Sequence, residues 1–119
     1  GVEMALAPAM KRSIEAGRLV TLDSVPIIID GLAVKTAGEY TFEICKAFVD
    51  DIVTVDEKEI FAAIPWIMER CKLVAEGAAA STVAALLTET IRPAAGSKVA
   101  CVLSGGNLNL SALQDMTWN

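Results

Sequence analysis

The stretch Val99-Ala100-Cys101-Val102-Leu103-Ser104-Gly105-Gly106-Asn107 decides the fold class. An unbroken apolar run that ends in a glycine turn is typical of a central parallel strand covered on both faces, and we predict such a strand over residues 99–103. In open α/β sheets, ligands bind beyond the carboxyl ends of the strands. The four residues Ser104, Gly105, Gly106 and Asn107 are therefore the first candidate site.

Helical and strand-like patterns alternate through the rest of the chain, which predicts an α/β layer. We expect helices over residues 8–16, 39–49, 57–71 and 77–87, and a strand over residues 52–55. Two short apolar runs, residues 19–22 and 25–29, fit either an edge strand or an irregular wall.

The two helices that follow residue 55 have distinctive patterns. Asp56 precedes Glu59 by three residues, which predicts a capping arrangement at the first turn. An apolar stripe continues from Ile60 to Cys71, and Pro65 within it is expected to kink the helix. Residues 77–87 are small or apolar around the whole circumference, so this helix should be buried against a sheet.

Composition limits the classes of protein. The chain has 119 residues, 54% of them hydrophobic, with a net charge of −5. These values predict one domain, residues 1–119, and argue against disorder and against an electrostatic grip on nucleic acid or anionic lipid. The absence of histidine excludes Ser-His-Asp triads and HExxH zinc sites.

The cysteines and the hydropathy pattern indicate the cellular compartment of the protein. Cys45, Cys71 and Cys101 are widely spaced and lie in apolar stretches, which indicates reduced thiols in a cytoplasmic core. No apolar stretch approaches the roughly 18 residues of a membrane span, and the first residues do not resemble a signal peptide. We expect a cytoplasmic protein without a membrane partner.

Taken one at a time, the polar candidates have two interpretations each. Residues 104–107 are either a plain turn or a cradle for an anion or an aromatic nitrogen. Glu76 is either a neighbour of a helix cap or a group held near a ligand, and Asp30 beside Gly31 is either a turn carboxylate or part of a pocket wall. Glu3 could bind a hard cation if oxygen partners lie nearby.

Taken in order, several motifs resemble one family. They are Gly1-Val2-Glu3, Ala7-Pro8-Ala9-Met10-Lys11, Asp30-Gly31-Leu32-Ala33-Val34-Lys35, Gly38-Glu39, Val49-Asp50-Asp51, Glu76-Gly77-Ala78 and Val102-Leu103-Ser104-Gly105-Gly106-Asn107. This series resembles the C-terminal part of the catalytic domain of threonine dehydratase. The wider family contains serine/threonine dehydratases and serine racemase, which are fold-type II pyridoxal-phosphate enzymes.

The resemblance implies a fold and a cofactor site. The fold would be a partial open, mostly parallel sheet with flanking helices, like part of the large domain of the tryptophan-synthase-β-like fold. The serine matching Ser104 would hydrogen-bond the pyridine nitrogen of pyridoxal phosphate, while Gly105, Gly106 and Asn107 shape the cofactor edge. The glutamate matching Glu76 would lie near the ring, and Asp30 and Gly31 would line the pocket.

The resemblance also implies an activity and its limits. The family reaction is β-elimination from threonine or serine, which yields a 2-oxoacid and ammonia. The Schiff-base lysine and the phosphate loop lie N-terminal to the region that this chain resembles, so we expect the chain alone to be inactive and to bind no cofactor. Its partner would be that N-terminal portion or a second copy.

Two further expectations accompany the resemblance. Relatives with a divalent cation hold it through groups that match Glu3 and the Ala7 carbonyl, together with a carboxylate where this chain has Ala9. The alternative to an enzyme fragment is a stand-alone, non-catalytic module, which would self-associate through the former domain interface.

Overall fold

The computed structural model describes residues 1–109, 111 and 114 of the chain. Its elements, in chain order, are β1 (Val2–Met4), α1 (Ala9–Ala16), a 3₁₀ turn (Asp30–Leu32), α2 (Glu39–Phe48), β2 (Val53–Val55), α3 (Glu57–Cys71) and α4 (Gly77–Leu87). The four predicted helices and the predicted strand before α3 are confirmed, with bounds that differ by one residue or less at most ends.

The two strands form a small parallel sheet. Val2, Glu3 and Met4 stand opposite Val53, Thr54 and Val55. The Ala5 amide donates to the Val55 carbonyl at 2.9 Å, and the Val53 amide donates to the Gly1 carbonyl at 3.0 Å. Parallel neighbours require a long crossover, which here contains α1, the 3₁₀ turn and α2. The predicted α/β class with a partial parallel sheet is confirmed.

The core lies between this sheet and the pair α3 and α4. Met4 and Val55 supply the strand side chains, and Ile60, Ile64 and Ile67 supply those of α3. The fully buried core residues from α4 are four alanines, Ala79, Ala80, Ala84 and Ala85, and Val83 packs against them partly buried. Small side chains let two helices approach closely, so α4 is buried as its composition predicts.

The first turn of α3 carries the predicted cap. Asp56 and Glu59 form a capping box, in which the Asp56 amide donates to the Glu59 carboxylate at 3.2 Å. Pro65 is buried within the helix, which continues without interruption to Cys71. The kink that we predict there stays a prediction.

The strand predicted over residues 99–103 is wrong. Among the described residues no strand pairs with this segment. Cys101 and Leu103 point inward, and the Cys101 thiol lies 3.8 Å from the Thr82 carbonyl of α4. Val99 and Val102 are 51% and 70% exposed. Exposure alternates over residues 100–103, but Val99, which a strand would place on the same face as Cys101 and Leu103, is exposed. Helix α4 contacts the segment on one face only.

The structure also answers the expectations for residues 19–29 and for the three cysteines. Residues 19–29 form an irregular wall rather than a strand, with a single bridge between Thr21 and Thr36. The three thiols are free, but Cys71 is exposed, so the prediction that all three lie in the core is wrong. Within the described part of the chain, no helix is long and apolar enough to cross a membrane.

Candidate functional site

The amino end of α4 organises the candidate site. Glu76 is its N-cap residue, with an extended backbone, and the Glu76 carbonyl accepts from the Ala80 amide at 2.9 Å. The amides of Gly77, Ala78 and Ala79 precede the first intrahelical hydrogen bond and have no acceptor within the helix. The end of α4 thus presents N–H groups and the positive end of the helix dipole.

The glycine turn that follows residue 103 lies directly on this helix end. The Glu76 amide donates to the Gly105 carbonyl at 3.1 Å. A side chain at Gly105 would collide with the Glu76 carboxylate, and a Cβ at Gly106 would lie 2.8 Å from the Val74 carbonyl oxygen. Close approach to a backbone atom therefore requires glycine at position 106, whereas a side chain at position 105 would have to push the Glu76 carboxylate aside.

The 3₁₀ turn reaches the same helix end from another part of the chain. A Cβ at Gly31 would lie 2.7 Å from the Ala78 Cβ, and one at Gly77 would lie 2.8 Å from Ile29 Cγ2. Glycine at these positions lets the backbone of the turn pack on the Ala78 methyl group and the backbone of the helix pack on the Ile29 side chain. The Asp30 side chain is exposed beside this contact.

The structure thus brings most of the predicted site residues together. Gly31, Glu76, Gly105 and Gly106 meet at the amino end of α4. Ser104 and Asn107 are exposed at the margin of this cluster, and neither side chain makes a hydrogen bond within the described part of the chain. The roles assigned to these residues, including that of Asp30, stay predictions.

Sequence reasoning missed three contributors to this site. They are the Val74 carbonyl, Gly77 and Ala78, which supply the surfaces that the glycines touch. The signal available for the last two was the run of small residues directly after Glu76. A backbone carbonyl such as that of Val74 leaves no trace in residue type.

Glu3 has a different environment from the one expected. Its two carboxylate oxygens accept from the amides of Met10 and Lys11, each at 2.8 Å, so the side chain binds the first turn of α1. The Ala7 carbonyl accepts from the Ala9 amide at 3.0 Å. The metal role of Glu3 and Ala7 stays a prediction: the carboxylate already accepts from two amides, and Ala9 adds no side-chain oxygen.

An open depression of about 290 Å³ lies beside α1. Its lining includes Leu6, Arg12 and Asp23, and none of the predicted site residues belongs to it.

The match to known proteins agrees with this arrangement. The sequence pattern of the family described as "Pyridoxal-phosphate dependent enzyme" matches residues 1–105. The chain belongs to this family. Its members use pyridoxal phosphate, and the match runs from β1 to the first glycine of the turn on α4.

Relatives of known activity cover nearly the whole chain. The L-threonine ammonia-lyase of Thermotoga maritima is 42% identical over 113 residues, which are 95% of this chain and 28% of that protein. The biosynthetic L-threonine dehydratase of Bacillus subtilis is 41% identical over 97% of this chain and 27% of its own length. This chain therefore spans little more than a quarter of these relatives.

Solved structures show the same fold. Maize serine racemase superposes with a TM-score of 0.83 at 31% identity, covering 95% of this chain and 36% of that protein. The processed form of threonine deaminase isoform 2 from Solanum lycopersicum gives a TM-score of 0.83 at 30% identity, covering 97% of this chain and 34% of that protein. The fold of this family member is therefore part of the fold-type II pyridoxal-phosphate architecture.

The described residues fit one edge of a pyridoxal-phosphate site. The Ser104 hydroxyl is exposed and has no partner in the described part of the chain, so it is available to a ring nitrogen. The glycines behind it hold the turn against α4 with no side chain between them. In this family member, Ser104 would hold the ring nitrogen, and Glu76 and Gly105 would lie beside it.

Proposed function

We propose that this chain is the C-terminal part of the catalytic domain of a pyridoxal-phosphate-dependent threonine or serine dehydratase and forms one wall of its cofactor site. The observation that carries the proposal is the meeting of Gly31, Glu76 and the turn after Ser104 at the amino end of α4. Three separate parts of the chain meet where a ring edge would lie.

The residues of this wall have distinct tasks in the proposed reaction. When bound, pyridoxal phosphate serves as an electron sink for the carbanion at the substrate Cα. A neutral hydroxyl at Ser104 binds the pyridine nitrogen without holding it protonated, which tempers that sink and suits loss of the β-hydroxyl. The lack of a side chain at Gly105 leaves room for the Glu76 carboxylate beside the turn.

The proposed overall reaction converts threonine into 2-oxobutanoate and ammonia. A base must take the α-proton, and the β-hydroxyl must leave as water, which gives an enamine. The enamine tautomerises to an imine, and the imine takes up one water to yield 2-oxobutanoate and ammonia. In this proposal a lysine and the phosphate loop come from another part of the polypeptide, so the isolated chain is inactive. We expect that polypeptide to be cytoplasmic.

The first test is an assay of the purified chain. With added pyridoxal phosphate and threonine, we expect no threonine-dependent 2-oxobutanoate from a chain that circular dichroism shows to be folded. Production of 2-oxobutanoate by the chain alone would contradict the proposal that the reaction needs a lysine and a phosphate loop from another part of the polypeptide.

The second test concerns Ser104 in the longer polypeptide that contains this chain. We expect Ser104→Ala to shift the cofactor absorbance and to lower the elimination rate, because the ring nitrogen loses its partner. Ser104→Thr keeps a hydroxyl and serves as the matched control. An unchanged spectrum and rate in Ser104→Ala would show that the serine does not touch the cofactor.

The alternative function is a stand-alone, non-catalytic module that self-associates. The half-covered segment of residues 99–103, with Val102 70% exposed, is the observation that favours it. If the natural reading frame encodes only this chain and the protein sediments as an oligomer, this alternative replaces the enzyme. A monodisperse monomer at high concentration would count against it.

A further inference from the structure

Residues 22–35 form a loop whose two ends lie side by side. The Leu22 amide donates to the Lys35 carbonyl at 2.9 Å, and the Thr36 hydroxyl donates to the Thr21 hydroxyl at 2.9 Å. Compact loops with closed ends frequently carry functional groups. The 3₁₀ turn that reaches the amino end of α4 lies within this loop, which we call the 22–35 loop.

One side chain anchors the part of the loop that leads into the turn. Ile27 and Ile28 are 80% and 41% exposed, and Asp30 and Gly31 are exposed as well, whereas Ile29 is only 5% exposed. Ile29 belongs to the core between the sheet and helices α3 and α4. Burial of an isoleucine removes a large apolar surface from water, so Ile29 holds this part of the loop on the protein.

Ile29 packs on the first residue of α4. A Cβ at Gly77 would lie 2.8 Å from Ile29 Cγ2, 3.3 Å from Cγ1 and 3.4 Å from Cδ1. The Cγ2 methyl group is bonded directly to Cβ, and a β-branched side chain has few permitted rotamers, so it cannot swing aside at low cost. The missing side chain of Gly77 therefore makes the space in which Ile29 lies.

The glycine turn after residue 103 is placed by the same helix end. The Glu76 amide donates to the Gly105 carbonyl at 3.1 Å, directly before Gly77 in the chain. The turn and the 22–35 loop are thus both positioned by one short segment, residues 74–78. A shift of Ile29 on this segment would move the 3₁₀ turn relative to the glycine turn.

The hydrogen bonds of the loop fix its shape rather than its place on α4. The hydroxyl pair at the base is exposed, so water competes for both groups. Within the turn, the Leu32 amide donates to the Ile29 carbonyl at 2.9 Å and the Ala33 amide donates to the Asp30 carbonyl at 3.2 Å. These bonds keep the turn intact, while the Ile29 side chain attaches it to the helix.

We propose that Ile29 is a positioning residue of the cofactor site, because its packing on Gly77 sets where Asp30 and Gly31 lie relative to the turn that begins at Ser104. The inference rests on the function proposed above. It assigns part of the site geometry to a core side chain that acts through its neighbours. Shortening this side chain should therefore alter the site although every group that faces the cofactor is retained.

The first test is hydrogen exchange in the complete chain with a matched pair of variants. Ile29→Val and Ile67→Val each remove one buried methylene group, and Ile67 is a fully buried residue of α3. We expect the Leu32 and Ala33 amides to exchange roughly fourfold faster in Ile29→Val, as the loss of one methylene group predicts, and at an unchanged rate in Ile67→Val. Equal acceleration in both variants would overturn the proposal, since the loop would then open only with the whole protein.

A size exchange tests the contact with Gly77 itself. Gly77→Ala should accelerate exchange of the same two amides, because the added methyl group meets the Ile29 side chain. In the Ile29→Ala background the same substitution should slow their exchange, because the methyl group then fills part of a cavity. A change in the same direction in both backgrounds would overturn the proposal. Circular dichroism verifies that each variant is folded.

The cofactor spectrum of the longer polypeptide separates positioning from stability. We expect the absorbance maximum of bound pyridoxal phosphate to shift in Ile29→Val and to stay unchanged in Ile67→Val. An unshifted maximum in Ile29→Val beside a shifted one in Ser104→Ala would overturn the positioning role and leave the proposed function intact. Unshifted maxima in both Ile29→Val and Ser104→Ala would contradict the proposed function and this role with it.

Discussion

Gly105 and Gly106 are adjacent, but their missing side chains would meet different neighbours. A Cβ at Gly105 would meet the far end of the Glu76 side chain, which can rotate away. A Cβ at Gly106 would meet the Val74 carbonyl oxygen, which belongs to the backbone and cannot move alone. A substitution at Gly106 should therefore mainly affect stability, and one at Gly105 should mainly affect the position of the Glu76 carboxylate.

We expect Gly106→Ala to lower the free energy of unfolding by about 1–3 kcal/mol, as overpacking against rigid atoms does. Gly105→Ala should cost less stability but displace the Glu76 carboxylate, and so change the cofactor spectrum in the longer enzyme. Urea unfolding and absorbance spectra measure the two effects. Equal losses of stability in both variants would contradict this explanation.

The residue type of Glu3 does not reveal its environment. A carboxylate near other oxygens suggests a cation, whereas here it satisfies two amides of α1. It thereby joins β1 to α1, seven residues farther along the chain.

We expect Glu3→Gln to lower the free energy of unfolding by about 1 kcal/mol, because the charged acceptor at the helix end is lost. Glu15→Gln, on the exposed side of α1, is the control and should change stability little. If Mg²⁺ raised the unfolding midpoint of the unmodified chain and not that of Glu3→Gln, a cation would bind there after all.

At the scale of elements, the helices could be predicted from the sequence because each carries its own signals. Residues 9–16 follow Pro8 and end at Gly17, which has the left-handed conformation that glycine favours. The strand predicted over residues 99–103 has no such local signal, and that prediction is wrong. A strand needs a neighbour for its hydrogen bonds, and an apolar run does not show whether the described chain contains one.

The residues of the candidate site could be selected from the sequence because of their residue types and positions. Polar residues or glycines stand at the ends of apolar segments at three places, which are Asp30-Gly31, Glu76 and Ser104–Asn107. Each place belongs to one of the motifs that follow one another along the chain. Their close approach depends on Ala78 and on a backbone carbonyl, which composition and spacing do not reveal.

The capping box of α3 gives a prediction at this scale. Asp56→Ala removes a partner of the first turn and should lower the free energy of unfolding by about 0.5–2 kcal/mol. Thermal or urea unfolding measures the loss. Lys58→Ala, exposed on the same turn, is the control, and a similar loss there would show that the cap contributes nothing special.

At the scale of the whole molecule, the described structure is thin. Its principal extents are 41, 37 and 19 Å, and the shortest accommodates little more than one helix packed on one further layer. Residues 99–103 lie over α4 without backbone hydrogen bonds among the described residues. Their N–H groups therefore have no backbone acceptor within the described part of the chain.

Hydrogen exchange should reveal this difference directly. In the chain alone, we expect the amides of residues 99–103 to exchange rapidly and those of α4 after its first turn to exchange slowly. In a longer polypeptide that supplies a neighbouring strand, residues 99–103 should become protected. Slow exchange of this segment in the chain alone would mean that it finds hydrogen-bond partners there.

The parallel pairing of β1 with β2 also constrains the order in which the chain folds. The Gly1 amine reaches the Asp51 carbonyl at 2.7 Å across 50 residues, so the ends of a long loop must meet before the sheet exists. During synthesis, β1 leaves the ribosome before β2, and the pairing described here cannot form until β2 follows. Helices α3 and α4 are neighbours in sequence, so their contact requires a far shorter loop. We therefore expect formation of the sheet to be the slow, non-local step and the pair of helices α3 and α4 to form the folding nucleus.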